Sequence, residues 1–201
     1  MTLPARDNPF RATCIERLPF RLDDADWLPL MTRFQAHHWR GVLVGPHGSG
    51  KTTLREELER RLSRCGWQVR SWVLGDGHRI TWAEVRSFAT DRGERTLLSI
   101  DGLDRIGVLS WWRLQRMLQP NVGILATSHV HGRQPTLHQH QTTPGLLHDL
   151  VAALTAPTVA LALRARCTEL YALHHGNVRA CLRDLYDDWA GGSGHCTSRS
   201  D

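Results

Sequence analysis

The sequence predicts an α/β fold with three layers, αβα, in which a parallel sheet of about five strands lies between helices and a short C-terminal helical lid follows. Two observations support this prediction. Short apolar runs alternate with helical periodicities over residues 41–127, which is the pattern of parallel strands joined by right-handed crossovers. The length of 201 residues suits one domain with a sizeable core and a small appendage.

Buried parallel strands read as short apolar runs, and amphipathic helices as apolar residues three or four positions apart. Strands are predicted at residues 42–44, 67–74, 96–100 and 122–127. Helices are predicted at residues 26–39, 51–64, 82–90, 109–118, 146–154 and 177–189. Residues 158–163 fit either a fifth strand or part of a helix that continues to residue 173. Residues 128–145 have no period, contain four of the twelve histidines, and are predicted to form a long loop.

The predicted helix at residues 51–64 has a clear apolar face. Leu54, Leu58 and Leu62 recur every four residues and are expected to be buried. The charged residues are predicted to cover the other faces; they are Arg55, Glu56, Glu57, Glu59, Arg60 and Arg61.

A glycine-rich segment joins the first strand to this helix and fits the phosphate-binding pattern G-x-x-x-x-G-K-[ST]. Its residues are Gly45, Pro46, His47, Gly48, Ser49, Gly50, Lys51 and Thr52, and Thr53 completes the predicted binding segment. The glycines let successive backbone N–H groups point at an anion, and the helix N-terminus adds its dipole. Lys51 is expected to reach the β- and γ-phosphates of a nucleoside triphosphate, with Thr52 on Mg²⁺.

Asp101 follows a run of apolar and β-prone residues at the end of the third predicted strand. Because parallel strands present their carboxyl ends along one edge of the sheet, Asp101 and Thr52 are expected to lie together and to share Mg²⁺. A turn aspartate before Gly102 would look the same in isolation, so the prediction depends on its order after the glycine-rich segment.

These features resemble the P-loop ATPases of the AAA+ and related additional-strand class, over residues 41–188. The motifs that carry the resemblance are the segment from Gly45 to Thr52, the strand ending at Asp101, the strand ending in Thr127-Ser128-His129, and Gly176-Asn177-Val178-Arg179. The resemblance implies that the fourth strand lies between the two other motif strands and that ATP and Mg²⁺ bind. It also implies that Thr127 or Ser128 senses the γ-phosphate and that Arg179 approaches it.

The chain departs from that class at one catalytic position. Gly102 stands where typical members have a glutamate that polarises the attacking water. Asp104 could supply the base instead, or could be a helix cap or a surface charge. Gly176 and Asn177 also fit a helix end followed by an N-cap, and Arg179 could lie exposed in the first helical turn.

The resemblance divides the chain into an N-terminal segment (1–40), a P-loop core (41–145), a helical lid region (146–190) and a disordered tail (191–201). The lid region leaves room for two or three helices. Within the N-terminal segment, Asn8-Pro9-Phe10 resembles the part of several such ATPases that packs beside the adenine.

The amino-acid composition indicates which binding partners and which cellular compartment suit the protein. A net charge of +5 without a basic run is compatible with nucleic acid but does not specifically support it. Five widely spaced cysteines without a C-x-x-C pair, and no long apolar run, predict a cytoplasmic protein without a membrane span.

Trp111 and Trp112 are neighbours on a predicted helix, so one of them is expected at the edge of the core, in contact with the lid or a protein partner.

The first functional prediction is an ATP-hydrolysing switch or motor subunit that uses Lys51, Asp101, Asp104, Thr127 and Arg179. Two alternatives stay open: a small-molecule or nucleotide kinase, and a nucleotide-gated interaction module that does not hydrolyse ATP. A kinase needs a second substrate pocket and usually an arginine-bearing lid over the phosphates, and the single arginine in residues 128–145, Arg133, counts against it. Gly102, in the position of the water-polarising glutamate, favours the interaction module that does not hydrolyse ATP. Self-association is compatible with the class, although no arginine is identified as an intersubunit finger.

Overall fold

A computed structural model describes residues 7–18, 24–74, 81, 83 and 95–191 of the chain. The chain divides into two compact units. The first, called here the sheet unit, comprises Phe20–Gly45 and Gly50–His140. The second, called the helical unit, comprises Met1–Pro19, Pro46–Ser49 and Gln141–Asp201.

The described residues of the sheet unit form five strands that are all parallel. They are β1 (Arg40–Val44), β2 (Gln68–Val73), β3 (Thr96–Asp101), β4 (Val122–Ser128) and β5 (Thr136–Gln139). Their order in the sheet is β2-β3-β4-β1-β5, so β4 lies between β3 and β1. This order confirms the predicted position of the fourth strand between the two motif strands, and the sheet confirms the predicted α/β fold class.

The helices are numbered in chain order. They are α1 (Ala12–Ile15), α2 (Asp24–Ala36), α3 (Lys51–Arg64), α4 (Val108–Met117), α5 (Pro144–Leu154), α6 (Pro157–Ala162), α7 (Arg164–Leu173) and α8 (Val178–Ala190), with a 3-10 turn at Leu103–Arg105. The predicted helix at residues 82–90 and nearly all of the predicted tail lie outside the described residues.

Helices cover both faces of the sheet because successive side chains of a strand point to opposite sides. Val42 and Val44 of β1 belong to a buried cluster with Trp111 and Leu114 of α4. Leu43, between them, belongs to a second cluster that contains residues of α2 and α3. β3 and β4 are buried along almost their whole length, which explains why their sequences are continuous apolar runs rather than alternating ones.

The prediction of one long loop at residues 128–145 is wrong, because this stretch contains β5 and the start of α5. β5 pairs with β1 at the sheet edge, and its one fully buried residue is Leu137. The Leu137 side chain occupies the space beside Gly41, where a Cβ would overlap it. A four-residue strand with one apolar side chain has too little pattern to be recognised without its neighbour.

The helical unit packs α5, α7 and α8 around its own apolar cluster, which includes Leu147, Leu170 and Leu185. Residues Pro157–Ala162 form α6 and α7 begins at Arg164, so this stretch is helical rather than a fifth strand. The described residues 144–191 contain four helices, so the expectation of two or three is wrong. Asn177 caps α8 by accepting the Ala180 N–H at 3.2 Å, as the Gly-Asn pair predicts.

The first described residues belong to the helical unit. Asn8 is buried and donates a hydrogen bond to the Tyr186 carbonyl oxygen at 2.9 Å. The Phe10 and Trp189 rings meet edge to face, with centroids 5.8 Å apart. In the part of the chain that the structure describes, no helix is both long enough and apolar enough to cross a bilayer.

Candidate nucleotide-binding site

The glycine-rich loop connects β1 to α3. Gly48 and Gly50 have φ angles of +71° and +84°, a left-handed backbone that glycine adopts without the steric penalty of a Cβ. Gly50 is the N-cap of α3, so Lys51 and Thr52 lie in the first turn of that helix. The first N–H groups of a helix have no acceptor within the helix and favour an anion. The local sequence therefore builds an anion-binding turn at the start of α3.

Lys51 is the only lysine of the chain. It is 7% exposed, and its Nζ donates a hydrogen bond to the Gly45 carbonyl oxygen at 2.8 Å. Burial lowers the pKa of Lys51, and the carboxylates of Asp101 and Asp104 partly offset that change. The ammonium group thus lies against the first residue of the loop, with two carboxylates near enough to influence its pKa.

Thr52 and Asp101 bring a hydroxyl and a carboxylate together. Thr52 Oγ1 donates to Asp101 Oδ2 at 3.2 Å. Thr127 Oγ1 donates to Asp101 Oδ1 at 2.5 Å and accepts the Gly102 N–H at 2.9 Å. The end of β4 therefore orients the carboxylate at the end of β3. Because Mg²⁺ prefers oxygen ligands, this hydroxyl and carboxylate fit the implied metal, and the positive-φ glycine loop fits the implied phosphates.

Thr127 and Ser128, the two candidates for the γ-phosphate sensor, have different surroundings. Ser128 Oγ donates to the Val130 carbonyl oxygen at 2.7 Å and accepts the Val130 N–H at 3.1 Å, so it closes the turn after β4. The Thr127 hydroxyl contacts Asp101. The structure therefore brings Thr127 to the predicted metal-binding carboxylate and gives Ser128 a role in the turn.

Arg55 is a buried cation one turn after Lys51, with 3% exposure. The prediction that it lies on the outer face of the helix is wrong. Its Nη1 bonds to a Glu59 carboxylate oxygen and donates to Ser99 Oγ at 3.0 Å, and its Nη2 lies 3.9 Å from Asp101 Oδ2. Ser99 also donates to Glu59. These partners compensate the charge inside the fold and place a fixed positive group beside the carboxylate of Asp101.

Glu59→Ala is expected to lower the free energy of unfolding by about 3–5 kcal/mol, because it leaves the buried Arg55 guanidinium without its carboxylate. Urea denaturation measures the change. Glu57→Ala is the matched control on the same helix, since Glu57 pairs with Arg60 and Arg61, which are 59% and 42% exposed. That control is expected to cost less than about 1 kcal/mol. Equal losses in the two variants would contradict the assignment of a buried ion pair.

Asp104 lies in the 3-10 turn that follows β3. Its Oδ2 is 3.2 Å from His129 Nδ1. Burial by itself raises the pKa of the Asp104 carboxyl, but hydrogen bonds and the charge of His129 together lower that pKa below its usual value. Asp104 is therefore a carboxylate at neutral pH. Its Oδ1 is buried and has no hydrogen-bond partner in the described part of the chain.

The sequence did not indicate that His129 would contact Asp104 or that Arg55 would lie beside Asp101. Both residues are therefore additional functional candidates. His129 is the residue after β4, and the parallel pairing of β3 with β4 brings it to Asp104. Its position at a strand end, directly after Thr127 and Ser128, is the sequence signal that could have suggested a place for His129 in the site. Arg55 follows Lys51 by four residues, a spacing that places both on one side of α3.

The middle of the glycine-rich loop, Pro46–Ser49, belongs to the helical unit together with the start of α8. A Cβ on Gly48 would overlap Asn177 Oδ1 and would lie 2.8 Å from the Arg179 backbone nitrogen. The loop and the α8 N-terminus are therefore in direct contact. Arg179 itself is exposed.

Gly48→Ala is expected to weaken ATP binding at least about tenfold, because the added methyl group would push the loop away from Asn177 and would strain a positive-φ backbone. Calorimetric titration with ATP measures the change. Gly66→Ala is the matched control, since Gly66 has a φ of +84° and nothing within 4 Å of its would-be Cβ. It should share the backbone penalty and leave ATP affinity unchanged. Unaltered affinity in Gly48→Ala would show that this close approach is irrelevant to binding.

Comparison with solved structures shows which known fold this is. The structure resembles the Holliday junction branch migration motor RuvB of Thermotoga maritima, with a TM-score of 0.55 and 15% identity over 85% of this chain. A mutant of the same protein matches with a TM-score of 0.53 and 15% identity over 83% of this chain and 61% of the mutant. The chain spans 64% of the length of the RuvB structure. No family model matches the chain, and no curated protein matches it.

At this level of identity the resemblance concerns the fold. The chain has an α/β fold like that of the RuvB structure, with β4 between β3 and β1 and helices on both faces of the sheet. The predicted resemblance to that class is confirmed as a resemblance of fold.

Proposed function

We propose that the chain binds ATP with Mg²⁺ at Gly45–Thr53 and hydrolyses it, as a nucleotide-driven switch or motor subunit. The observation that carries this proposal is the 3.2 Å contact of Thr52 Oγ1 with Asp101 Oδ2, next to a buried lysine at the end of a positive-φ glycine loop. An ammonium group, a hydroxyl and a carboxylate are the side-chain groups that bind a triphosphate and its metal in P-loop proteins.

Each binding group has a distinct role in the proposal. The backbone N–H groups of the loop and of the first turn of α3 hold the phosphate oxygens, and Lys51 exchanges its Gly45 contact for the β- and γ-phosphates. Thr52 and Asp101 hold the metal. When bound, Mg²⁺ neutralises charge that develops on the phosphates. Thr127 keeps the Asp101 carboxylate in orientation through its 2.5 Å hydrogen bond.

Asp104 is the proposed general base. A base must accept a proton from the attacking water within hydrogen-bond reach, and Asp104 is ionised at neutral pH because its pKa is lowered. His129 holds Oδ2, while the buried Oδ1 keeps its acceptor capacity. In this proposal His129 is a positioning residue. Asp104 thereby takes the role of the glutamate whose usual position is occupied by Gly102.

Arg179 is proposed to report on the γ-phosphate to the helical unit. Its backbone contacts the glycine-rich loop at Gly48, so occupancy of the loop can affect the start of α8 directly.

The free thiols Cys14, Cys65, Cys167 and Cys181 support a reducing compartment such as the cytoplasm.

One alternative is supported by a specific residue. Gly102 stands in the usual position of the water-polarising glutamate, so a nucleotide-gated interaction module that binds ATP without hydrolysing it is the second candidate. In that case Asp104 and His129 form a structural ion pair, and the loop, Lys51 and Thr52 keep their binding roles.

Single-turnover incubation with ATP labelled on the γ-phosphate tests the proposal. Free phosphate, released well above the rate in Lys51→Ala, is the expected result. ATP that stays bound and intact would replace the proposal by the gated module. Transfer of the label to an acceptor other than water would indicate a kinase instead.

A further inference from the structure

The outward face of α4 is unusual for a solvent-exposed helix. Trp111 and Leu114 point into the core, with exposures of 5% and 1%. On the opposite side Val108, Leu109 and Trp112 are 73%, 58% and 49% exposed. Trp112 is therefore the tryptophan at the edge of the core, and it is part of an exposed apolar group rather than a single exposed residue.

Two arginines share this outward face. With about 100° between successive residues of a helix, Val108, Trp112, Arg116, Leu109 and Arg113 fall within an arc of about 140°. Both arginines are exposed. The Arg116 guanidinium lies over the Trp112 ring, 4.1 Å from its centroid, so the cation and the indole form one stacked group.

The segment after β4 approaches the start of α4. His129 contacts Asp104, and Arg133 Nη1 donates to the Leu103 carbonyl oxygen at 2.7 Å, so residues 129–133 lie against the turn that precedes α4. Val130 within this segment is 55% exposed. The α4 surface is defined here by the outward-facing residues of that helix, which are Val108, Leu109, Trp112, Arg113 and Arg116.

The chain segment that carries the α4 surface is positively charged. Residues 105–140 contain four arginines and four histidines but no aspartate or glutamate. The carboxylate immediately before this stretch, Asp104, is paired with His129. A helix face that presents two arginines and a half-exposed indole is complementary to a polyanion with flat rings.

We propose that the α4 surface binds a single strand of nucleic acid. Arg113 and Arg116 contact phosphates, and Trp112 with its stacked guanidinium offers a platform for a base, while Val108 and Leu109 contact the sugar and the base edge. This proposal goes beyond ATP binding and does not depend on it. An acidic protein segment shares the negative charge, but only a nucleic acid carries a flat ring on every unit of a charged backbone, so nucleic acid is the occupant that the Trp112–Arg116 stack favours.

Fluorescence anisotropy of a labelled oligothymidylate of about 16 nucleotides tests the proposal with the full chain. Binding is expected at low salt, and its affinity should fall steeply as salt rises. Trp112→Ala should weaken binding about tenfold, whereas Trp112→Phe should retain most of it because a ring is preserved. The double variant Arg113→Gln with Arg116→Gln removes two phosphate contacts, each of which contributes about 0.7 to the slope of log affinity against log salt concentration. The magnitude of that slope should therefore fall by about 1.4.

The matched control is Arg60→Gln with Arg64→Gln, which removes the same charge from exposed positions on α3. It should leave oligonucleotide affinity within about twofold of the wild type. Circular dichroism verifies that each variant is folded, and Trp112→Phe keeps the test available if the alanine variant does not fold. No oligonucleotide binding at about 50 mM salt would overturn the proposal. Equal losses in the two arginine pairs, or binding of an acidic peptide without binding of the oligonucleotide, would also overturn it.

Discussion

Asp104→Asn is expected to slow ATP hydrolysis by about 10²–10⁴-fold and to leave the affinity for ATP and Mg²⁺ intact, because an amide cannot accept the proton of the attacking water. Steady-state phosphate release gives the rate, and calorimetry gives the affinity. The reduction should appear in turnover because Asp104 is proposed to act on the water, whereas Thr52 and Asp101 hold the metal.

Two further variants make this prediction specific. Asp149→Asn removes the same charge from an exposed position on α5 and should leave turnover unchanged. Asp101→Asn should weaken the Mg²⁺-dependent part of ATP binding, which separates the metal ligand from the base. Turnover in Asp104→Asn equal to that of the wild type would remove Asp104 from the chemistry. Wild-type turnover no faster than that of Lys51→Ala would leave the gated module.

Lys51→Ala is expected to weaken ATP binding by about a hundredfold or more, since it removes the charge-assisted hydrogen bonds to the β- and γ-phosphates and the chain has no other lysine. Isothermal titration calorimetry measures the affinity. Arg60→Ala, at a position 59% exposed on the same helix, is the control and should bind ATP like the wild type. Unchanged ATP affinity in Lys51→Ala would place the nucleotide elsewhere on the molecule.

The parts of the fold that follow from local pattern were predictable from the sequence. The apolar runs of β3 and β4 mark strands buried on both faces, and the four-residue leucine spacing of α3 marks its core face. Each signal extends over six residues or more within one element. The Gly-Asn pair before α8 was also predictable, because its capping role needs no distant partner.

Features that depend on distant partners were not predictable from local pattern. β5 is a strand because β1 offers it an edge and Gly41 leaves room for Leu137. Arg55 is buried because Glu59 and Ser99 compensate its charge, and Ser99 is on a different element. In each case a tertiary contact overrides what the local sequence suggests.

The candidate site divides in the same way. Gly45 to Thr52 is contiguous and recognisable, and the order of Asp101 and Thr127 after it follows from parallel-sheet topology. The contact of His129 with Asp104, by contrast, joins residues 25 positions apart and depends on which ends of β3 and β4 are neighbours. The sequence could suggest a substitute base but could not supply its orienting partner.

A crystal structure of the chain with a non-hydrolysable ATP analogue and Mn²⁺ in place of Mg²⁺ tests the central claim most directly. We expect an anomalous manganese peak about 2 Å from Thr52 Oγ1, on the Asp101 side, with the triphosphate against the backbone N–H groups at the start of α3 and Lys51 Nζ on its oxygens. A triphosphate bound away from the glycine-rich loop, or a loop that remains empty at saturating analogue, would contradict it.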